Sequence, residues 1–245
     1  MAAAGASWRD VNLGQVVSML MVRGLIGGLF QVALFAALLL IPAGTWHWPR
    51  AIQFLVAYSV VMSVSVVTLA RVAPASLEAR LQPPFAKTQP VADRVITFLI
   101  ILSFAVWLAF IPLDVFHLHL LPTPSLGMSV FGAVLALAGY GLLIATLIQN
   151  AFALPIVREQ SDRGHVLVDT GFYAHVRHPF YVGFIAFLAG LPLWLESYAG
   201  VLALPIVLIT LVARIFVEEK TLRDTLPGYA EYMTRVRYRL IPLIW

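Results

Sequence analysis

Six long stretches without a charged residue constrain this chain more than any other feature of its sequence. They cover residues 25–41, 51–70, 95–113, 127–148, 179–195 and 198–213. A helix needs about 20 apolar residues to cross the hydrocarbon core of a bilayer, and about 17 is the lower limit. Because the stretches are continuously apolar and do not alternate, they indicate helices rather than the strands of a barrel. We therefore predict an all-α fold, a polytopic transmembrane helical bundle of about six spans.

The last two stretches are short, and only Glu196 and Ser197 separate them. They predict a tight helical hairpin, although a re-entrant pair of helices is an alternative. The fourth stretch carries small residues at Gly132, Ala136, Gly139 and Gly141, a pattern typical of close packing against a neighbouring helix.

The basic residues predict the orientation of these spans. With six spans, all but one of the 16 Lys and Arg residues fall on the side that carries both termini, and only Arg50 falls on the other. The positive-inside rule then places both termini in the cytoplasm. The net charge of +4 therefore reports topology and does not predict nucleic-acid binding. Only 11% of the residues are charged, against about 25% in soluble domains, so we predict an integral membrane protein.

The residue types limit the chemistry. The chain has no cysteine, which excludes disulfides, thiolate metal sites and a cysteine nucleophile. His117 and His119, in a predicted outer loop, have no obvious third ligand near them, and we predict no metal site.

Polar residues concentrate in two predicted cytoplasmic segments. In the first, residues 158–177, Gly171 permits a turn, and Pro179 suits the first turn of the next helix, where its missing N–H costs nothing. The strip at residues 165–168, beside Tyr173, reads as extended backbone that can hold a flat heterocycle such as adenine. An ordinary charged loop explains this segment equally well.

The second segment begins at Arg214. Arg214 and Glu218 are four residues apart, so they share one face of a helix. A surface ion pair or a contact with lipid headgroups is one interpretation. The functional interpretation is that Arg214 binds an anion and Glu218 binds an ammonium group.

Several motifs in these segments occur together in one family. They are GHVLVDTGFY at 164–173, VRHPFYVG at 176–183, the paired glutamates at 218–219, LPGYAEY at 226–232 and RVRYRLIP at 235–242. In this order and spacing, which cover about the last 90 residues, they resemble the isoprenylcysteine carboxyl methyltransferase family, most closely its bacterial branch. The first 125 residues share only the hydropathy pattern.

The resemblance implies an integral membrane methyltransferase that uses S-adenosylmethionine and O-methylates the carboxylate of a lipophilic, isoprenylcysteine-like substrate. The cofactor pocket would be cytoplasmic and formed by the C-terminal third of the chain. The implied cofactor-binding residues are His165, Val166, Leu167, Val168, Tyr173, His178, Pro179, Phe180, Tyr181 and Glu218. Arg214 is the implied catalytic and substrate-binding residue. At a position where the eukaryotic members have a glutamine, this chain has Arg158, and whether Arg158 or the nearby Gln160 takes that role stays open.

These expectations divide the chain into N-terminal transmembrane helices at 1–125 and a catalytic region with the last spans and tail at 126–245. The expected partners are a lipophilic small molecule or prenylated substrate and membrane lipids, in a bacterial inner membrane, with no nucleic acid. The sequence does not predict the oligomeric state or the physiological acceptor.

Four other functions stay open, and one of them is a non-catalytic membrane scaffold, which would show no cofactor affinity. A phospholipid N-methyltransferase shares the His-Pro and paired-Glu pattern. A sterol-type reductase would need reduced nicotinamide cofactor, NADPH, and the chain has no Gly-x-Gly-x-x-Gly turn. A transporter would place ionisable residues at mid-span, and the first five predicted spans have none there.

Overall fold

The computed structural model describes residues 13–83, 85, 91–150 and 167–245. Every regular element within these residues is helical, which confirms the all-α prediction. The helices are α1 (Leu13–Ala43), α2 (Pro49–Val72), α3 (Pro74–Arg80), α4 (Val91–Leu113), α5 (Leu126–Gln149), α6 (Pro179–Trp194), α7 (Tyr198–Leu202), α8 (Pro205–Thr225) and α9 (Tyr229–Arg235). A π-helical turn, Asp114–Leu118, extends α4, and a 3-10 turn, Gly171–Ala174, precedes α6.

Five helical segments in the described chain are long and apolar enough to cross a membrane, and they correspond to α1, α2, α4, α5 and the pair α7–α8. The remaining predicted span, at residues 179–195, is α6, an apolar helix of 16 residues, about 24 Å long at 1.5 Å per residue. The bundle of about six spans is therefore confirmed. The last span was predicted to end at residue 213, whereas α8 continues to Thr225. Of the charged residues in this extension, Arg214 and Glu219 are buried, and Lys220, Arg223 and Asp224 are exposed.

The turn between α6 and α7 is fixed by buried polar contacts. The Ser197 hydroxyl donates to Asp114 Oδ2 over 2.6 Å and accepts from the Gly200 amide over 2.8 Å. Trp107 Nε1 donates to the Gly200 carbonyl oxygen over 2.8 Å. Since Asp114 and Trp107 belong to α4 and its π-helical turn, this corner ties the last spans to the N-terminal part of the bundle.

Aromatic side chains hold α6 in the bundle. The Phe187 ring of α6 lies 6.5 Å from Phe54 and 6.3 Å from Tyr58, both on α2, measured between ring centroids. The Phe35 ring of α1 lies 5.1 Å from the same tyrosine ring. Aromatic pairs at such separations favour packing beyond the area that they bury. The position of α6 matters because its first turn builds the site described below.

Small residues let α5 and α6 pack backbone against backbone. A Cβ atom on Gly139 would lie 2.5 Å from the Phe187 amide nitrogen and 2.6 Å from the Gly183 carbonyl oxygen. A Cβ atom on Gly141 would meet nothing within 4 Å. The predicted close packing therefore holds for Gly139 but not for Gly141, which faces away from α6.

The two glycines form a matched pair for a stability test. We expect Gly139→Ala to destabilise the protein by about 1–3 kcal/mol, because the added methyl group must push α5 away from α6. Gly141→Ala should leave stability unchanged or slightly higher, since it adds a methyl group in open space. Thermal unfolding in detergent measures both variants, and equal midpoints would contradict the close packing.

Candidate active site

The C-terminal tail folds back onto the start of α6. Pro179 is the first residue of α6, as predicted, and His178 precedes it. The Arg177 amide donates to the Tyr238 carbonyl over 2.9 Å, and the His178 amide donates to the Arg239 carbonyl over 3.0 Å. The tail therefore runs beside residues 177–178, and it closes one side of the region where the predicted site residues meet.

A buried carboxylate, that of Glu219, locks this arrangement. Its Oε1 accepts from Arg177 Nε over 2.7 Å and lies 3.1 Å from His178 Nε2, and its Oε2 accepts from Arg239 Nε over 2.9 Å. Arg177 Nη1 also donates to the carbonyl oxygens of residues 236 and 237, over 2.8 and 2.9 Å. The second glutamate of the pair thus joins α8, the start of α6 and the tail.

The first glutamate of the pair has different partners. The Tyr181 hydroxyl donates to Glu218 Oε2 over 2.8 Å and accepts from Arg214 Nε over 2.9 Å. One phenol therefore bridges the two α8 residues that the sequence places on one helix face. The spacing predicted that Arg214 and Glu218 share a helix face, whereas the tyrosine that bridges them was not predicted.

Two residues from the N-terminal half hold the other side of Arg214. Its Nη1 donates to Thr97 Oγ1 over 3.1 Å and lies 3.4 Å from Asp93 Oδ1. Asp93 is fully buried and Arg214 is only 4% exposed. Sequence reasoning missed both partners, because Asp93 and Thr97 lie near the start of an apolar span and match no motif.

A cavity opens beside Glu218 with about 650 Å³ of empty space, its open mouth included. Seven residues of the predicted cofactor set line it: Leu167, Val168, Tyr173, His178, Phe180, Tyr181 and Glu218. Residues that sequence reasoning did not assign line it too: Arg80, Asn150, Arg177, Leu222, Leu226, Tyr229 and Tyr232.

The remaining predicted residues have other positions. His165 and Val166 lie outside the described residues, as do Arg158 and Gln160. Pro179 begins α6 and Arg214 contacts Tyr181, and within the described part of the chain neither lines the cavity. The cavity-lining Tyr229 and Tyr232 belong to the LPGYAEY motif, so the motif itself was a signal that could have assigned them.

The tyrosines of the cavity are neutral at physiological pH. Burial raises the pKa of Tyr173 to about 12, and burial also raises the pKa values of Tyr229 and Tyr232 above the ordinary range. The Tyr232 hydroxyl donates to the Tyr173 carbonyl oxygen over 2.8 Å, which fixes α9 against the 3-10 turn. The cavity thus offers neutral aromatic walls beside the carboxylate of Glu218.

This combination fits S-adenosylmethionine. Adenine and ribose need apolar and aromatic surfaces with a few polar groups, which Leu167, Val168 and Tyr173 offer. The ammonium group of the amino-acid end needs a carboxylate, and Glu218 lines the same cavity. His117, which the sequence analysis considered as a metal ligand, is not among the residues that line this cavity. Its Nε2 lies 2.9 Å from the Pro42 carbonyl oxygen.

Comparison with known proteins agrees with this geometry. Residues 128–224 match the model of the isoprenylcysteine carboxyl methyltransferase (ICMT) family, which confirms the resemblance. No curated protein matches the chain significantly. The matched family is one of membrane methyltransferases, and S-adenosylmethionine is the methyl donor of this family.

Proposed function

We propose that the protein methylates the carboxylate of a lipophilic, isoprenylcysteine-like acceptor with S-adenosylmethionine, since residues 128–224 match the model of the isoprenylcysteine carboxyl methyltransferase family. The observation that carries this proposal is the contact chain from Glu218 through Tyr181 to Arg214. It joins a cavity-lining anion, suited to the ammonium group of the cofactor, to a buried cation suited to an acceptor carboxylate.

When bound, S-adenosylmethionine supplies an electrophilic methyl group on a sulfonium. The residues of the chain then have to bind, orient and exclude water, because such a transfer depends mainly on positioning. Leu167, Val168 and Tyr173 would hold the adenosine, and His178, Phe180 and Tyr181 would contact the rest of the cofactor. His165 and Val166 extend the same strip in sequence and are part of the proposal.

A carboxylate acceptor agrees with the position and chemistry of Arg214. The unperturbed pKa of a carboxyl group is near 4, so the acceptor is ionised at neutral pH and needs no general base. It needs a cation, which an arginine supplies through two parallel N–H donors. Arg214 lies one helical turn before Glu218, about 6 Å along α8, on the side of the membrane interior. This order suits an acceptor whose tail stays in lipid.

A phospholipid amine is the second candidate acceptor, and the observation that favours it is the position of His178. An amine must lose a proton before it attacks, and His178 lines the cavity with Nε2 3.1 Å from Glu219. A carboxylate partner can orient a histidine base. However, Arg177 and Arg239 also contact that carboxylate, so it is not dedicated to orienting His178. We therefore retain the carboxylate as the first acceptor.

The distribution of basic residues supports cytoplasmic termini and a cofactor that enters from the cytoplasm. The resemblance to the bacterial branch of the family supports the inner membrane of a bacterium as the location. The division into residues 1–125 and a catalytic region at 126–245 stays a prediction. The contacts of Asp93 and Thr97 with Arg214 cross that boundary, so we expect both parts to be needed for activity.

Cofactor binding and methyl transfer test the proposal in one preparation. Calorimetry of the detergent-purified protein should detect S-adenosylhomocysteine, and Glu218→Gln should weaken this binding at least about tenfold, the loss of one charge-assisted hydrogen bond. Label from methyl-tritiated S-adenosylmethionine should then enter a farnesylcysteine analogue and not phosphatidylethanolamine. Transfer to the amine lipid alone would favour the second candidate. Absence of cofactor binding by folded protein, in lipid as well as in detergent, would refute both.

A further inference from the structure

The end of α3 carries a cation into the cavity from outside the family-matched residues 128–224. Arg80 is the last residue of α3 and lines the cavity with Tyr173, Tyr181 and Glu218. Its guanidinium carbon lies 4.8 Å from the centroid of the Phe180 ring, in the first turn of α6. A guanidinium over an aromatic face is held by electrostatic attraction to the ring, so the cation has a defined position in the wall.

The segment that carries Arg80 is anchored in the bundle. Leu77 is 4% exposed and belongs to the same hydrophobic cluster as α1, α2 and α6, and Ser76 and Ala79 are buried beside it. Pro74 starts the helix directly after α2 ends. Because three of its seven residues are buried, α3 presents Arg80 from a fixed support rather than from a free loop.

The Arg80 guanidinium is positively charged under physiological conditions. Burial lowers the pKa of Arg80 to about 10, which still leaves the guanidinium protonated at neutral pH. The other cavity-lining arginine, Arg177, already uses Nε and Nη1 for Glu219 and two tail carbonyls. The wall of the cavity therefore combines the cation of Arg80 with the anion of Glu218.

A pair of opposite charges in one small cavity is complementary to a zwitterion. We propose that Arg80 binds the carboxylate of the amino-acid end of the cofactor, while Glu218 binds its ammonium group. This inference rests on the proposed function, because it concerns the same cavity and the same cofactor. Arginine is suited to the task since its planar N–H donors match the two oxygens of a carboxylate.

Two ligands isolate the amino-acid end from the rest of the cofactor. S-adenosylhomocysteine carries both the carboxylate and the ammonium group, whereas 5′-methylthioadenosine keeps the adenosine and the thioether but lacks both. We expect Arg80→Gln to weaken binding of S-adenosylhomocysteine about 10- to 100-fold, as expected for lost charge-assisted hydrogen bonds. Binding of 5′-methylthioadenosine should change less than about threefold, and Arg80→Lys should recover part of the loss. Calorimetry measures both ligands without any methyl acceptor.

A matched control removes a positive charge from the end of α2, the helix that directly precedes α3. Arg71, in the last turn of α2, is exposed, and Arg71→Gln should bind both ligands like the wild type. Thermal unfolding of each variant shows that it is folded.

Each outcome of the titrations decides one question. Equal affinity of wild type and Arg80→Gln for S-adenosylhomocysteine would overturn the assignment of Arg80. An equal loss for both ligands would also overturn it, because Arg80 would then act on the adenosine side or on the cavity wall. Failure of the wild type to bind S-adenosylhomocysteine would instead refute the proposed function, so the two failures are distinguishable.

Discussion

Glu219→Ala is expected to lower the free energy of unfolding by about 3–5 kcal/mol, the usual cost of removing one partner from a buried ion pair. The carboxylate is 5% exposed and contacts Arg177, His178 and Arg239. Without it, the guanidinium of Arg177, itself only 6% exposed, keeps its charge in a buried position with no anion beside it. The tail that this network holds should also detach from the start of α6.

Two measurements test the expected effect of Glu219→Ala. Thermal unfolding in detergent should show a lower midpoint, and limited trypsin digestion should cut faster at Arg237 and Arg239 as the tail detaches. Glu219→Gln should lose less stability, because an amide oxygen can still accept one of the hydrogen bonds.

The adjacent Glu218 supplies the matched control. Glu218 is partly exposed, lines the cavity and accepts from Tyr181, so Glu218→Ala should change the midpoint little while it weakens S-adenosylhomocysteine binding. Equal midpoints for Glu218→Ala and Glu219→Ala would contradict the division of roles between the two glutamates. A tail equally resistant to trypsin in Glu219→Ala and wild type would do the same.

The sequence predicted the parts of this molecule that depend on local pattern. The spans follow from uninterrupted apolar runs, and the placement of Arg214 and Glu218 on one face of α8 follows from the helical repeat. Pro179 at the start of α6 follows from its missing N–H group. These features are set within a few residues of one another, so one sequence is enough to predict them.

Features that depend on distant segments could not be predicted in this way. Nothing in the spacing of Glu218 and Glu219 tells which one faces the cavity, because the answer depends on where α6 and the tail lie. Arg80 and Asp93 sit in the half of the chain that carries no motif. They were visible only as basic or acidic residues beside predicted spans, where topology explains them equally well.

Arg214→Lys is expected to lower kcat/KM for a carboxylate acceptor about 100-fold, while S-adenosylhomocysteine binding changes less than about twofold. The lysine keeps a positive charge opposite the buried Asp93, so the fold should survive the substitution. A lysine ammonium is a point charge without the planar fork of arginine. It cannot hold Tyr181, Thr97 and an acceptor carboxylate in the same geometry. Loss of one charge-assisted hydrogen bond, about 1.5–3 kcal/mol, corresponds to the expected factor.

Two controls, a modified acceptor and a substitution of a second arginine on α8, test whether the loss is specific to Arg214 and the carboxylate. A farnesylcysteine analogue with a carboxamide in place of the carboxylate should inhibit the wild type weakly, and it should inhibit Arg214→Lys to the same extent. Arg223→Lys, whose side chain is 56% exposed on the same helix, should retain full activity. An equal loss of S-adenosylhomocysteine affinity in Arg214→Lys would show that the guanidinium acts through Tyr181 and Glu218 on the cofactor. The acceptor carboxylate would then need another cation.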